Sequence, residues 1–146
     1  MMSVNNIPND GVSPERIKEI LLNSKIIAVV GASRNPVKAA YEVPAFLQSK
    51  GYKIIPINPI ADYIFGEKAY KSLLEIPNDI KVDIVDVFRP SNEVLNVVKE
   101  TIAKGYKIIW LQEGIYNKEA VELAKAHNIE ILWNRCMMKS YKSLLD

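Results

Sequence analysis

The chain has a single cysteine, Cys136, and a single histidine, His127. One cysteine excludes an internal disulfide and fits a reducing compartment. A His/Cys cluster of the kind that holds zinc is lacking, so no metal is expected. No apolar run approaches the roughly 20 residues that a membrane-spanning helix needs. Met1–Gly11 is polar and rich in asparagine, without the basic start and apolar centre of a signal peptide. A soluble cytoplasmic protein with no membrane partner is the expectation. Charge of one sign is also scarce. The net charge of +2 gives no strong field for a polyanion. No Walker lysine pattern is present. No basic helix-turn-helix or aromatic–basic platform points to nucleic acid.

What is present is ordinary in bulk and specific in pattern. A chain of 146 residues suggests one domain. At this size roughly 70% of the unfolded surface is buried, enough for a real core. We divide the chain into a polar tail, 1–12, and a domain, 13–146, with no repeat, low-complexity stretch or linker between domains. Apolar runs occur at Ile26–Val30, Lys53–Asn58, Val82–Phe88, Lys107–Gln112 and Ile129–Trp133. They are rich in Ile or Val and near-continuous, as in parallel strands buried on both faces. Most of the segments between them are long enough for helical crossovers.

Ser13-Pro14 opens a first helix that places Ile17, Ile20 and Leu21 on one face. A second helix ends near Lys50-Gly51. Pro44 would break a helix running continuously from Pro36, so its start is placed at about Tyr41 or Glu42, with Pro44 in the first turn. Ser91 and Asn117 are expected to cap two more helices, reaching about Lys104 and His127. Tyr70–Ile76 is read as a short helix and Lys139–Asp146 as a last one. Strands alternating with helices predict an α/β fold: a single Rossmann-like, doubly wound sheet of five parallel strands. The orders to consider are 3-2-1-4-5, which we prefer, and 2-1-3-4-5. Either places a ligand beyond the carboxyl end of the first strand.

The strand ends carry the candidate chemistry. The first ends in Gly31-Ala32-Ser33-Arg34-Asn35-Pro36. A glycine turn after a strand is where such sheets meet a nucleotide's phosphates. The G-x-G-x-x-G fingerprint is not met: Ser33 stands at the second glycine position and Pro36 near the third. Gly31 lets the backbone approach a phosphate, loop amides donate to it, and the helix start adds its dipole. Ser33 adds a hydroxyl, and Arg34 and Lys38 add positive charge. The second strand ends in Asn58-Pro59, where NAD sites usually carry an acidic residue for the ribose. Without that carboxylate, a ribose phosphate is repelled less. Phe88 offers a packing face and Arg89 a phosphate partner. Gln112 and Gly114 stand at the end of the fourth strand. Such Gly, Pro and polar punctuation also marks ordinary loops. Its coincidence on one edge of the sheet is what favours a site.

Catalytic groups are few. His127 lies at the expected end of a helix, on the edge of the sheet away from the site, where the helix dipole favours it as a surface residue. Cys136 stands beside Arg135 on the ligand side, yet it has no histidine for a pair. Asp83 and Asp86 interrupt the third strand without an evident acid partner.

These segments resemble the stand-alone CoA-binding domain family, related to the amino-terminal domain of the succinyl-CoA synthetase α subunit. The motifs are VVGASRNPVKAAYEVPAFLQSKGYKIIPINP at 29–59, FGEKAYKSL at 65–73, VDIVDVFRPS at 82–91 and IIWLQEGIYNKEAVELAKAHNIEILWNRCM at 108–137. The resemblance covers about Lys25 to Met138, and four motifs in order are more specific than any one. It implies a Rossmann-like domain binding coenzyme A, as CoA or acyl-CoA, at the strand ends. Gly31, Ala32, Ser33 and Pro36 match the family's phosphate loop. Asn58 and Pro59, Phe88 and Arg89, and Gln112 and Gly114 match its later motifs, and Arg135-Cys136 a further pair. After Met137 the chain departs: Lys139-Ser140-Tyr141 stands where members often have an acidic residue and a histidine. The synthetase's phosphorylated histidine belongs to a domain this chain lacks, so ligase activity does not carry over. The expectation is a binding module without catalytic apparatus. The alternatives are an NAD(P)-binding enzyme or redox sensor, and a subunit lending CoA binding to a ligase or acyltransferase complex.

Overall fold

The computed structural model describes residues 6–146; Met1–Asn5 of the expected polar tail lie outside the described residues. Helix α1, Pro14–Asn23, starts as its sequence predicts. The Ser13 hydroxyl accepts from the Arg16 amide at 3.1 Å, Pro14 follows, and Ile17, Ile20 and Leu21 are buried. Strand β1, Ile26–Val30, runs into the loop 31–38, and α2 spans Ala39–Ser49. Strand β2 is Lys53–Ile57. A hairpin follows, β3 at Tyr63–Ile64 and β4 at Glu67–Lys68. Phe65 and Gly66 take positive φ at its turn, the geometry that suits a two-residue hairpin. Then come β5, Ile84–Val87; α3, Val94–Lys104; β6, Ile108–Leu111; α4, Lys118–Ala126; β7, Glu130–Leu132; and α5, Met137–Leu144.

The five expected strands form one parallel sheet in the order β2-β1-β5-β6-β7. Numbered among themselves, these five strands run 2-1-3-4-5. Outside them, Tyr70 makes a single parallel bridge to Ile57. Counted as a rudimentary edge strand, it makes the order 3-2-1-4-5 with β7 as a sixth. Tyr70 therefore cannot start a helix. Its amide donates to Pro56 O at 3.0 Å and its carbonyl accepts from Asn58 N at 2.9 Å. The expected helix shrinks to a 3-10 turn, Leu73–Glu75.

Helices cover both faces, which is why the strands read as continuous apolar runs. On one face Val85, Val87, Ile109, Leu111 and Ile131 pack with α3 and α4. On the other, Ile27, Val29, Ile84, Trp110 and Leu132 pack under α1, α2 and α5. Trp110 is fully buried and its indole N–H donates to Arg135 O at 2.9 Å. No helix among the described residues is long and apolar enough to cross a membrane.

Three boundaries differ from the sequence reading. Helix α2 begins at Ala39, so Pro44 lies in its interior rather than its first turn. Ser91 does not cap α3. It sits in a 3-10 turn, Ser91–Glu93, and its hydroxyl accepts from Tyr116 N at 3.1 Å, tying two connections together. The last helix starts at Met137, two residues earlier than expected. Asn117 caps α4 as expected, accepting from Ala120 N.

The segment before α1 is tied to the far end of the sheet. The Asp10 carboxylate, whose side chain is fully enclosed, takes two bonds from the Arg135 guanidinium at 2.5 and 2.6 Å. It also accepts from Trp133 N, while the Trp133 indole donates to Pro8 O. Burial alone would raise the Asp10 carboxyl. Arg135 and the amides of Val12 and Trp133 outweigh it and hold the group below the usual range.

Candidate functional site

An open crevice of about 940 Å³ lies at the carboxyl ends of β1, β2 and β5. That volume is within the usual range of small-molecule sites, roughly 300–1,000 Å³. The crevice sits where β1 has β2 on one side and β5 on the other. Chain connections leave in opposite directions there, and α/β sheets bind ligands at such points. Of the sequence-predicted residues, Gly31, Ala32, Ser33, Arg34, Lys38, Asn58, Pro59, Phe88 and Arg89 line it. Pro36, Gln112 and Gly114 do not.

The loop 31–38 is largely self-satisfied. Gly31 N donates to Ile57 O at 3.1 Å, which continues the sheet ladder by one residue. Ser33 N donates to Ala40 O at 3.1 Å. Asn35 N donates to the Ser33 hydroxyl, Val37 N to Asn35 Oδ1, and Lys38 N to Asn35 O. The amides of Ala32 and Arg34, and those of Ala39 and Ala40 in the first turn of α2, have no acceptor among the described residues. Of these residues Ala32, Arg34 and Ala40 line the crevice, and Ala39 and Ala40 stand at the positive end of the α2 dipole.

Gly31 is needed for a reason the sequence does not show. Its φ is +87°, and a Cβ there would come within 2.8 Å of Arg89 Cδ and 3.2 Å of Phe88 O. The Arg89 stem thus lies directly on the loop glycine. Its guanidinium is gripped by Glu93, with Nη2 at 2.9 and 2.8 Å from the two carboxylate oxygens and Nε at 3.2 Å. Arg34, Lys38 and Lys71 make no ion pair among the described residues. With Arg89 they place four cations around the crevice, against Glu93 and Glu100.

Asn58 has a structural reason to be an amide. Its Nδ2 donates to Ala32 O at 2.9 Å, while Oδ1 accepts from Ile60 N at 2.8 Å and Ala61 N at 2.9 Å. It stitches the loop 31–38 to the β2 exit, and a carboxylate could not donate to Ala32. Phe88 is half-buried, sharing the core under α2 with one side and the crevice with the other.

Gln112 is buried inside the protein rather than in the crevice. Its Nε2 donates to Asp86 Oδ1 at 2.5 Å and its Oε1 accepts from Met137 N at the start of α5. Asp86, fully buried in the central strand, has its other oxygen unpartnered. Burial pushes its carboxyl up to about 7, against the lowering effect of Gln112 and the Val87 amide. Gly114 shapes a turn with φ +81° and donates to Asn134 Oδ1 at 2.7 Å. Asp83 stands at the opposite edge, accepting from the amides of Lys25 and Ile26.

The sequence reading missed the polar wall of α3 and its entry turn: Asn92, Glu93, Asn96 and Glu100, together with Lys71 and Ser72. The signal was the spacing of 92, 96 and 100, one polar residue per turn beside a face of buried valines. Glu100 is committed, accepting from Leu73 N and from Asn96 Nδ2. His127 is exposed at the end of α4, with its Nδ1 3.1 Å from Leu123 O, and Cys136 is buried at the start of α5. Neither lines the crevice.

Comparison with known proteins adds to this geometry. The model of the CoA binding domain matches residues 25–142. An uncharacterized protein of Bacillus subtilis, YneT, is 40% identical over 125 residues, covering 86% of this chain and 91% of the relative. The ADP-forming acetate–CoA ligase of Methanocaldococcus jannaschii is 37% identical over 121 residues, covering 77% of this chain but 17% of the ligase. Among solved structures, a hypothetical protein from Pyrococcus horikoshii OT3 superposes with a TM-score of 0.91 at 39% identity, covering 96% of this chain and 97% of that one.

Proposed function

The chain belongs to the CoA binding domain family, and from that premise we propose that it binds coenzyme A or an acyl-CoA in the crevice at the ends of β1, β2 and β5. The observation that carries this reading is the meeting of three unused amides with cations at one switch point. Ala32, Arg34 and Ala40 offer N–H groups, and Arg34, Lys38, Lys71 and Arg89 offer charge. Coenzyme A brings a diphosphate and a ribose phosphate, so it uses several cations at once. Ser33 supplies a hydroxyl, and Phe88 and Pro59 supply apolar wall. Asn58 shapes the site by holding Ala32, and Pro36, Gln112 and Gly114 lie outside the crevice.

His127 and Cys136 both lie away from the crevice. A second reading, in which the domain lends CoA binding to a larger ligase, is supported by the match to one segment of an acetate–CoA ligase. An NAD(P) site is disfavoured, because the residue at the end of β2 already spends both ends of its amide on backbone.

The test is thermal denaturation and calorimetry with CoA, acetyl-CoA, NAD, NADP, FMN and ATP at equal concentration. A ligand that binds only the folded state raises the melting temperature by mass action. CoA or acetyl-CoA should give the largest shift and a measurable heat. A larger shift from NAD, with none from CoA, would reject the reading.

A further inference from the structure

We propose that Glu93 is a specificity-determining residue of the crevice. It occupies the Arg89 guanidinium as a stand-in anion, and a ligand phosphate must take Arg89 away from it. The proposal rests on reading the crevice as a phosphate site.

Three observations meet here. The Arg89 stem is fixed on the phosphate loop, where only a glycine leaves room for it. Its guanidinium has Glu93 as its hydrogen-bond partner, through the fork geometry that phosphate also uses. The Glu93 carboxylate in turn bonds only to Arg89 among the described residues, whereas Glu100 on the same wall is tied to Leu73 N and Asn96. Glu93 is therefore the acid of the crevice that is free to change partner.

Energetics make the exchange easy and conditional. Both side chains are 45% exposed. An exposed pair of this kind holds only weakly, because water screens both charges. A small anion meeting Arg89 alone gains little over the carboxylate it displaces, and it also meets the Glu93 charge. A ligand whose phosphates are held at the same time by the loop amides and by Arg34 or Lys38 overcomes both. Glu93 thus raises the threshold for every anion and leaves only multiply anchored ones tightly bound.

Calorimetry on the full chain tests this, with inorganic pyrophosphate and CoA as probes. Glu93→Gln should tighten both by about three- to tenfold, as expected for release of a weak ion pair and loss of a like charge. Glu119→Gln on the exposed first turn of α4 makes the same change of net charge away from the crevice and should change affinity less than twofold. In an Arg89→Gln background the gain from Glu93→Gln should largely vanish. The Arg89 Nε–H resonance should move in Glu93→Gln before any ligand is added, and in the wild type on adding pyrophosphate. Unchanged or weaker affinity in Glu93→Gln overturns the proposal. So does an equal gain from Glu119→Gln. If the wild type binds pyrophosphate but not CoA, the CoA reading falls while the Glu93 comparison still decides this one. Binding of neither probe overturns both.

Discussion

The amide of Ser33 donates to the carbonyl of Ala40, 3.1 Å away. In an uninterrupted helix that carbonyl would accept from residue 44. Residue 44 is proline and has no N–H, so Ala40 faces the loop instead. One missing donor inside α2 thereby becomes the anchor of the candidate phosphate loop.

Pro44→Ala restores the helical donor and sets it in competition with Ser33. The expected result is an unchanged or slightly more stable helix with a looser loop. Hydrogen exchange at the Ser33 amide should speed up by about tenfold or more, and CoA affinity should fall. Unaltered protection at Ser33 would show that Ala40 is not its anchor.

Gly31→Ala meets two obstacles at once. The residue has positive φ, costly for alanine by about 1–2 kcal/mol, and the new methyl would collide with Arg89 Cδ and Phe88 O. Urea unfolding should show a loss of about 2 kcal/mol or more. Trimming Arg89 to alanine in the same chain should return part of it. A double variant no more stable than Gly31→Ala would mean that the clash with Arg89 contributes nothing.

Asn58→Asp tests the stitch between the loop and β2. An aspartate keeps the acceptor for Ile60 N and Ala61 N but turns a second oxygen toward Ala32 O. We expect weaker CoA binding and no gain of NAD affinity, although the change creates the acidic residue of an NAD site. A gain in NAD binding would show that the position reaches a ribose directly.

Asp86 makes stability depend on pH in an unusual sense. Its folded carboxyl titrates near 7, above its unfolded value of about 4. The proton therefore favours the folded state. Its contribution is complete below about pH 4 and is lost as pH rises through about 7, by an amount on the order of 1 kcal/mol per pH unit. Asp86→Asn should flatten the urea midpoint between pH 5 and 8 and be the more stable protein at pH 8. A wild-type midpoint that rises over this range would contradict the assignment.

Arg135→Gln should strand the enclosed Asp10 carboxylate. Removing one partner of such a pair costs about 3–5 kcal/mol when both charges are buried, and somewhat less here because Arg135 is 25% exposed. Asp10→Asn should cost less than Arg135→Gln, because it leaves no buried anion. Thermal unfolding of the two variants gives the comparison, and the reverse order would rule out a trapped charge. The Asp10 contribution is present above about pH 4 and lost as pH falls through its lowered value.

Features that depend on neighbours in the chain were legible in the sequence. Ser13-Pro14 and Asn117 announced helix starts, and the continuous Ile/Val runs announced strands covered on both faces. The edge of the sheet that carries the crevice followed from the same pattern. What the sequence could not show was how polar side chains spend their hydrogen bonds across the fold. Asn58 lines the crevice and is at the same time a clasp between two loops. Gln112 looks like a strand-end contact and is buried between Asp86 and α5. Ser91 looks like a cap and ties down Tyr116. From the sequence Pro44 reads only as a lost helical bond; the Ser33 amide, which uses the freed Ala40 carbonyl and lets α2 start at Ala39, comes from outside the helix.

The clasp of Asp10 on Arg135 gives the chain a mechanical order. Going from residue 6 inward, tension reaches Pro8 and Asp10 before it reaches α1, and both are fastened to the exit of β7. A pull on the front of the molecule is thus delivered first to its last strand. A tag or partner protein joined ahead of residue 6 would hang from the β7 edge, with the crevice between β1, β2 and β5 outside the loaded path.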